Sequence, residues 1–234
     1  MKSNSTRNAG TLRKVAFTLI ELLVVIAVIG ILAALIVPVG RGIKNKEMKS
    51  VAMTELHEIE TAINSYHDNG RLGSYPPDNP TNSIMNPLYF ELGGTVRSSP
   101  GPTFTTLDGS GRITSADAQT YFGVGGFPNS STSAQGTDDA PAPVNFIKDL
   151  KPNQIGAVPD PASPIKILVC SVGWPLNWPS QPLPYAADKG VNPWHYVSTS
   201  PTNNPGSFDL WVDLIIDNKT NRISNWSTTP QIVP

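Results

Sequence analysis

A single glutamate interrupts the longest apolar stretch of this chain. From Phe17 to Val39, 23 residues carry one charge, that of Glu21. As a helix these residues would reach about 34 Å, enough to cross the hydrocarbon core of a bilayer. A carboxylate in hydrocarbon costs on the order of 3 kcal/mol, so Glu21 needs a partner there. No basic residue follows it within the stretch, and we expect the partner to come from another molecule.

Side chains that commonly catalyse reactions are few and scattered. His57 and His67 are ten residues apart on a predicted helix, which turns them about 80° away from each other and makes a shared metal site unfavourable. His195 stands alone, and Cys170 lies in an apolar run where a packed thiol is the favoured interpretation. The sequence contains neither GxSxG, HExxH nor a phosphate-binding loop. We therefore expect no enzyme, and the lone cysteine excludes an intrachain disulfide.

Charge is distributed unevenly about the apolar stretch. Residues 1–16 carry four basic side chains and no acidic one, which predicts a cytoplasmic N-terminus and an exported C-terminal part. Without those residues, 13 basic and 18 acidic side chains remain, a net charge of about −5. This balance argues against nucleic acid as a partner. The apolar run is also too long for an ordinary cleaved secretory signal.

The N-terminal segment resembles the class III signal of type IV pilins and type II secretion pseudopilins. The resemblance rests on Ala16-Phe17-Thr18-Leu19-Ile20-Glu21, followed by an apolar helix that contains Pro38. It implies that prepilin peptidase cuts between Ala16 and Phe17 and methylates the new amino terminus on Phe17. Family members usually carry glycine where Ala16 stands. An ordinary signal anchor with a stray glutamate is the alternative.

The same resemblance implies how the subunit assembles. The ammonium of Phe17 would meet Glu21 of a neighbouring subunit and set the register between them, and Pro38 would let the helix unwind locally in the filament. The implied partners are other pilin-like subunits, an inner-membrane platform protein and an assembly ATPase. The implied location is the inner membrane, crossed once, with the C-terminal part periplasmic and drawn into a periplasmic or surface filament.

Four segments are predicted along the chain: a leader over 1–16, a membrane helix over 17–39, an amphipathic stalk helix over 40–69 and a head over 70–234. Apolar residues in the stalk recur every three or four positions, namely Met48, Ala52, Leu56, Ile59, Ile63 and Tyr66. Only one of 23 prolines precedes Pro76, so the helical part ends near Asn69. The predicted class is α+β, a long helix packed on a small, loop-rich, antiparallel head of the pilin type.

Within the head, strands are predicted around 165–172, 194–198 and 208–216, with a turn over 218–221 and a return strand over 222–226. A short helix is predicted over 115–121. Residues 123–143 are rich in Gly, Ser, Asp and Pro and are expected to form a mobile surface insertion.

A looser resemblance to major pseudopilins runs through Asn192-Pro193-Trp194-His195-Tyr196 and Phe208-Asp209-Leu210-Trp211. In that group an acidic loop follows and often holds structural calcium. The nearest oxygen donors here are Asp213, Asp217, Asn218 and Asn221, although a solvated turn explains them as well. No cofactor is required by the sequence. A long surface pilus and a signal-anchored domain that binds a glycan or a protein remain as alternatives to the secretion pseudopilus.

Overall fold

The computed structural model describes residues 18–69, 72–98, 102–136, 141–158, 165–178 and 190–233, with only the backbone described over 34–41. The chain divides into two compact units, Met1–Lys44 and Asn45–Pro234. The boundary falls inside the first helix, close to the predicted start of the stalk. The architecture is mixed α+β with mainly antiparallel sheets, as the sequence predicts.

Three helices and ten strands are described. The helices are α1 (Leu19–Asp68), α2 (Leu88–Gly93) and α3 (Ser115–Phe122), with a 3-10 turn at Pro152–Gln154. The strands are β1 (Thr95–Arg97), β2 (Thr103–Thr106), β3 (Arg112–Thr114), β4 (Ser130–Ser131), β5 (Ile155–Val158), β6 (Ile165–Leu168), β7 (His195–Val197), β8 (Asp209–Ile216), β9 (Lys219–Ser224) and β10 (Gln231–Val233).

The strands form three sheets. The first has the order β3-β2-β1-β4, with β4 parallel to β1 and the other pairs antiparallel. The second is an antiparallel meander in the order β10-β9-β8-β7, and β5 pairs with β6 in the third. Alternation along β8 places Val212 and Leu214 in the core, with Trp211 and Asp213 on the opposite face. The strands predicted near 165, 194 and 208 are confirmed.

The stalk part of α1 packs along one stripe, as its periodicity predicts. Ala52, Leu56, Ile59, Ile63 and Tyr66 are each at most 4% exposed and belong to the same core as the inner face of β8. This burial provides most of the stability of the helix, because isolated helices are marginal in water. The helix ends at Asp68, next to the predicted stop at Asn69.

Two buried polar side chains of the stalk bind the head. The Glu55 carboxylate accepts a 3.0 Å hydrogen bond from the backbone N–H of Ser171, and the Tyr66 hydroxyl donates to Glu91 over 3.1 Å. Both acidic residues are nearly or fully buried. Cys170, beside Ser171, is buried as predicted, and burial raises the pKa of its thiol. An inert packed thiol follows from this setting.

The prediction that residues 123–143 form a mobile surface insertion is wrong for the first part of this range. Phe127 and Asn129 are 5% and 0% exposed. The Asn129 amide donates to the carbonyls of Glu91 and Val144, each over 2.7 Å, and its oxygen accepts from Val144 N–H. The Asn129 side chain thus makes hydrogen bonds with backbone groups that would otherwise pair in regular secondary structure. A composition rich in Gly and Ser does not show that the segment is held in this way.

The predicted turn over 218–221 is also displaced. Asp217 and Asn218 have φ of 51° and 57°, and Ile216 pairs with Lys219, so these two residues form the hairpin turn. Positive φ at both central positions is typical of the two-residue type I′ turn, which Asp and Asn tolerate. Strand β9 therefore begins at Lys219, three residues before the predicted return strand.

Buried carboxylates organise the loops beside the second sheet. Asp209, 2% exposed, accepts 2.9 Å hydrogen bonds from the backbone N–H groups of Thr202, Asn203 and Asn204. A carboxylate that accepts several N–H bonds offsets its own desolvation. Without it these loop donors lose their acceptor.

We predict that Asp209→Ala lowers the free energy of unfolding by about 3 kcal/mol, because three backbone donors lose a charged acceptor. Urea unfolding followed by tryptophan fluorescence measures the change. Glu58→Ala, at an exposed stalk position, is the matched control and should change stability by less than about 0.5 kcal/mol. Equal stability of the two variants would contradict the role given to Asp209.

Candidate assembly site on the N-terminal helix

Thr18 and Glu21 form a capping box at the start of α1. The carboxylate of Glu21 accepts hydrogen bonds from Thr18 N–H at 2.8 Å and from the Thr18 hydroxyl at 2.7 Å. In return, Glu21 N–H donates to the Thr18 hydroxyl oxygen over 3.3 Å. This reciprocal pair satisfies donors that have no partner inside the helix, and it places a negative charge at the positive end of the helix dipole.

The capping box gives Glu21 a local partner that the sequence analysis overlooked. The signal was present in the sequence, because Thr-x-x-Glu before an apolar run is the usual capping-box pattern. Glu21 remains fully exposed within this chain, so a partner from outside can reach its carboxylate.

Large apolar side chains surround the following four turns of the helix, with no polar face. Their exposed fractions lie between 45% and 82%. They are Leu19, Ile20, Leu22, Leu23, Val24, Val25, Ile26, Val28, Ile29, Ile31 and Leu32. A helix that is apolar on every side is typical of one buried in lipid or in protein. Over the residues that the structure describes, no helix is both long enough and apolar enough to qualify as a membrane span.

Three predicted site residues lie partly or wholly outside the part of the chain that the structure describes. Ala16 and Phe17, the residues at the predicted cut, lie outside the described residues. At Pro38 only the backbone is described, and α1 is helical through this position. Because proline has no N–H, one main-chain hydrogen bond of the helix is absent there.

The four predicted calcium ligands do not converge. Asp213 is paired across the strands with Arg222, so the neighbouring Asn221 projects to the opposite face of the sheet. Both Asp213 oxygens accept from Arg222, at 2.8 Å each. Asp217 accepts from the Asn45 amide, and the Asn221 amide donates to the carbonyls of Ile216 and Lys219.

These contacts do not fit a calcium ion, which needs six to eight oxygens on one centre. Residues on opposite faces of a sheet cannot share one ion. Within the described ranges, no group of three or more His, Cys, Asp or Glu side chains is placed to hold a metal. The observed hydrogen bonds of Asp213, Asp217 and Asn221 are instead to other groups of the protein.

An aromatic cluster lies on the outer face of the second sheet. The Trp211 ring stacks on His195 at 4.6 Å between centroids, meets Trp226 edge-on at 5.7 Å and lies 5.5 Å below the Arg222 guanidinium. A sugar-binding platform requires an open ring face, whereas neighbouring strands pack side chains against Trp211 from both sides. This packing favours a structural role for the cluster over a glycan groove.

Two clefts of about 520 and 500 Å³ lie on either side of the loop 147–150. Tyr89, Asp108 and Ser110 line the first, where the Tyr89 hydroxyl and the Ser110 hydroxyl are 2.6 Å apart. His57 and Glu58 of the stalk line the second. Burial raises the pKa of Tyr89, which leaves it a neutral phenol rather than a base. In this first cleft the Ser110 hydroxyl also donates to the Asp108 carboxylate over 2.7 Å.

Four curated relatives share partial similarity with the chain, and all are called type II secretion system core protein G. That of Aeromonas hydrophila is 33% identical over 97 residues, 38% of this chain and 66% of the relative. That of Pectobacterium carotovorum subsp. carotovorum is 40% identical over 63 residues, 26% of this chain and 40% of the relative. That of Escherichia coli (strain K12) is 44% identical over 50 residues, 21% and 34% of the two chains.

The chain is similar to type II secretion system core protein G. This similarity confirms the resemblance to type II secretion proteins drawn from Phe17, Glu21 and Pro38. The matches cover between about one third and two thirds of each relative's length. No protein-family model and no solved structure matches the chain. The relatives' name denotes a secretion-system component and not an enzyme, as expected of this chain.

The head carries a half-buried histidine, His195, on β7. The pKa of His195 is lowered to about 4, chiefly by burial, while Asp213 raises it and Arg222 lowers it. The Ser83 hydroxyl lies 2.9 Å from its Nδ1. At pH values below 6.5, the ordinary pKa of histidine, His195 is protonated in the unfolded chain but stays neutral in the folded head. The free energy of unfolding therefore falls as the pH is lowered from about 6.5 towards 4.

We predict that between pH 7 and pH 5 this histidine removes about 2 kcal/mol of unfolding free energy. Urea titrations at the two pH values measure this loss. The difference in unfolding free energy between pH 7 and pH 5 should be much smaller in His195→Gln and unchanged in His57→Gln, a substitution at an exposed stalk position. An unchanged pH dependence in His195→Gln would show that His195 titrates normally.

Proposed function

We propose that this chain is a structural subunit of a pseudopilus that serves type II protein secretion. The observation that supports this most strongly is the described apolar surface between Leu19 and Leu32, which surrounds α1 and carries one carboxylate. Such a surface needs cover from lipid or from protein. A filament in which these helices pack together supplies that cover, and the similarity to core protein G supports the choice of a secretion pseudopilus over a long surface pilus.

Before assembly, the subunit is anchored in the inner membrane by Phe17–Val39, a segment that includes positions outside the described residues. The anchor crosses once, with residues 1–16 cytoplasmic and the head periplasmic. This orientation is supported by the four basic side chains before the apolar stretch. The helix would lie in the bilayer with Glu21 near one surface, where water and headgroups reduce the cost of its charge.

Prepilin peptidase removes the leader between Ala16 and Phe17 and methylates the new terminus. The ammonium so formed on Phe17 becomes the partner for Glu21 of a neighbouring subunit. At 4 Å and an effective dielectric constant of 20, such a pair gains about 4 kcal/mol, compared with about 1 kcal/mol for a typical helix cap. The carboxylate would therefore move from Thr18 to the neighbouring ammonium when subunits dock.

Further partners follow from the same proposal. Other pilin-like subunits form the filament, while an inner-membrane platform protein and an ATPase drive extraction from lipid. Pro38 supports local unwinding during assembly because it already lacks one helical hydrogen bond. A signal-anchored glycan-binding domain is the weaker candidate, since the ring of Trp211 is occupied by His195 and Arg222.

Intact-mass and N-terminal analysis of the protein purified from membranes tests processing. With prepilin peptidase present, we expect a chain that begins at methylated Phe17; without it, the chain should keep residues 1–16. Ala16→Gly, which restores the residue common in the family, should be processed at least as completely and serves as the positive control. Processing of Ala16→Gly alone, with the natural chain uncut in both conditions, would contradict the proposal.

A further inference from the structure

We infer that Arg222 locks the β8–β9 hairpin at the place where the resemblance implied calcium, so that the head keeps its stability when divalent cations are removed. The inference concerns folding of the head unit and does not depend on filament assembly. The four candidate calcium ligands do not converge on one centre, and contacts of Arg222 hold the hairpin instead.

The first element of the lock is a two-pronged ion pair. Arg222 Nε donates to one oxygen of Asp213 and Nη2 donates to the other, both over 2.8 Å. The two residues are opposite each other in the strand register, and their side chains are only 29% and 17% exposed. Parallel hydrogen bonds between a guanidinium and a carboxylate are among the stronger polar contacts in proteins. Both oxygens of Asp213, one of the four candidate calcium ligands, therefore already accept hydrogen bonds from Arg222.

The second element is the ring of Trp211, which fixes the same guanidinium. The Arg222 Cζ atom lies 5.5 Å from the ring centroid, within range of a cation–π contact. His195 and Trp226 pack on that ring in turn. The hydrogen bonds to Asp213 raise the pKa of Arg222, which keeps it charged at all ordinary pH values. A permanent positive charge beside Asp213 repels a divalent cation from this position.

The third element is the shortness of the turn. Only Asp217 and Asn218 connect the paired residues Ile216 and Lys219, and both adopt positive φ. A calcium loop needs enough chain to present six to eight oxygens to one centre, and a two-residue turn does not supply it. The Asp217 carboxylate instead accepts a 2.8 Å hydrogen bond from Asn45 at the start of the stalk part of α1.

Thermal unfolding of the full chain in detergent, with either EGTA or millimolar calcium chloride, tests the inference. We expect the same midpoint in both conditions for the natural chain. Arg222→Ala should lower the midpoint by about 2–4 °C or more in both conditions, since the loss of a partly buried ion pair exceeds about 1 kcal/mol. Lys219→Ala, an exposed cation on the same strand, is the matched control and should leave the midpoint unchanged.

A natural chain that loses stability in EGTA and regains it with calcium would overturn the inference. So would an Arg222→Ala midpoint equal to that of Lys219→Ala. If Arg222→Ala does not fold, Arg222→Lys keeps the charge but loses the two-pronged geometry, and its midpoint should lie below that of the natural chain.

Terbium luminescence gives a direct reading of ion binding. A Tb³⁺ ion bound at Asp213 would lie close to Trp211 and be sensitised by its excitation. We expect no saturable luminescence that calcium displaces from the natural chain. A calcium-competed, saturable signal that disappears in Asp213→Asn would contradict the lock.

Discussion

The exposed apolar surface of the N-terminal helix is the constraint on which the rest of this molecule depends. Eleven large aliphatic side chains between Leu19 and Leu32 are 45% to 82% exposed. Full burial of one such side chain from full exposure is worth about 1.5–3 kcal/mol, and these side chains are on average somewhat more than half exposed. Covering all of them therefore gives a free energy of the same order as the 5–15 kcal/mol that typically separates a folded domain from its unfolded state. Such a surface needs cover from lipid or protein, and under the proposed function Glu21 would restrict how the helices pair.

The head contains many loops, and these are held in place without an intrachain disulfide. Buried polar side chains do this by substituting for regular backbone pairing. Asn129 binds two carbonyls, Asp209 gathers three backbone N–H groups, and Asp78 accepts from the N–H groups of Ser198 and Thr199. The stalk joins the same network through Glu55 and Tyr66, so stalk and head form one core within the unit that begins at Asn45.

Patterns with a strong period were predictable from sequence. The apolar stripe of the stalk, the end of α1 near Asn69 and the alternation along β8 each follow from side-chain spacing alone, and the structure confirms them. The N-terminal motif likewise led to the family resemblance that the relatives support. Local repetition carries this information because each side chain in a helix or strand has a fixed direction.

Features that depend on pairing between distant residues were not predictable. The separation of Asp213 from Asn221 was not predictable, because the face of Asn221 is decided by its register with β8. The turn was displaced because Asp and Asn tolerate positive φ. Asn129 was missed for a similar reason, since its partners at Glu91 and Val144 are 38 and 15 residues away. The Thr18–Glu21 cap, by contrast, is local, and the Thr-x-x-Glu pattern is enough to predict it.

The proposed function requires Glu21 to act between subunits, and filament assembly by charge-altered variants tests this requirement most directly. Filament yield, measured by electron microscopy and by shearing, should be lost in Glu21→Gln, which keeps size and hydrogen bonding but removes the charge, and should survive in Thr18→Ala, which removes only the local cap. Leader removal, checked by mass in each variant, separates assembly from processing. Normal filaments from Glu21→Gln with its leader removed would contradict a role for the Glu21 charge between subunits.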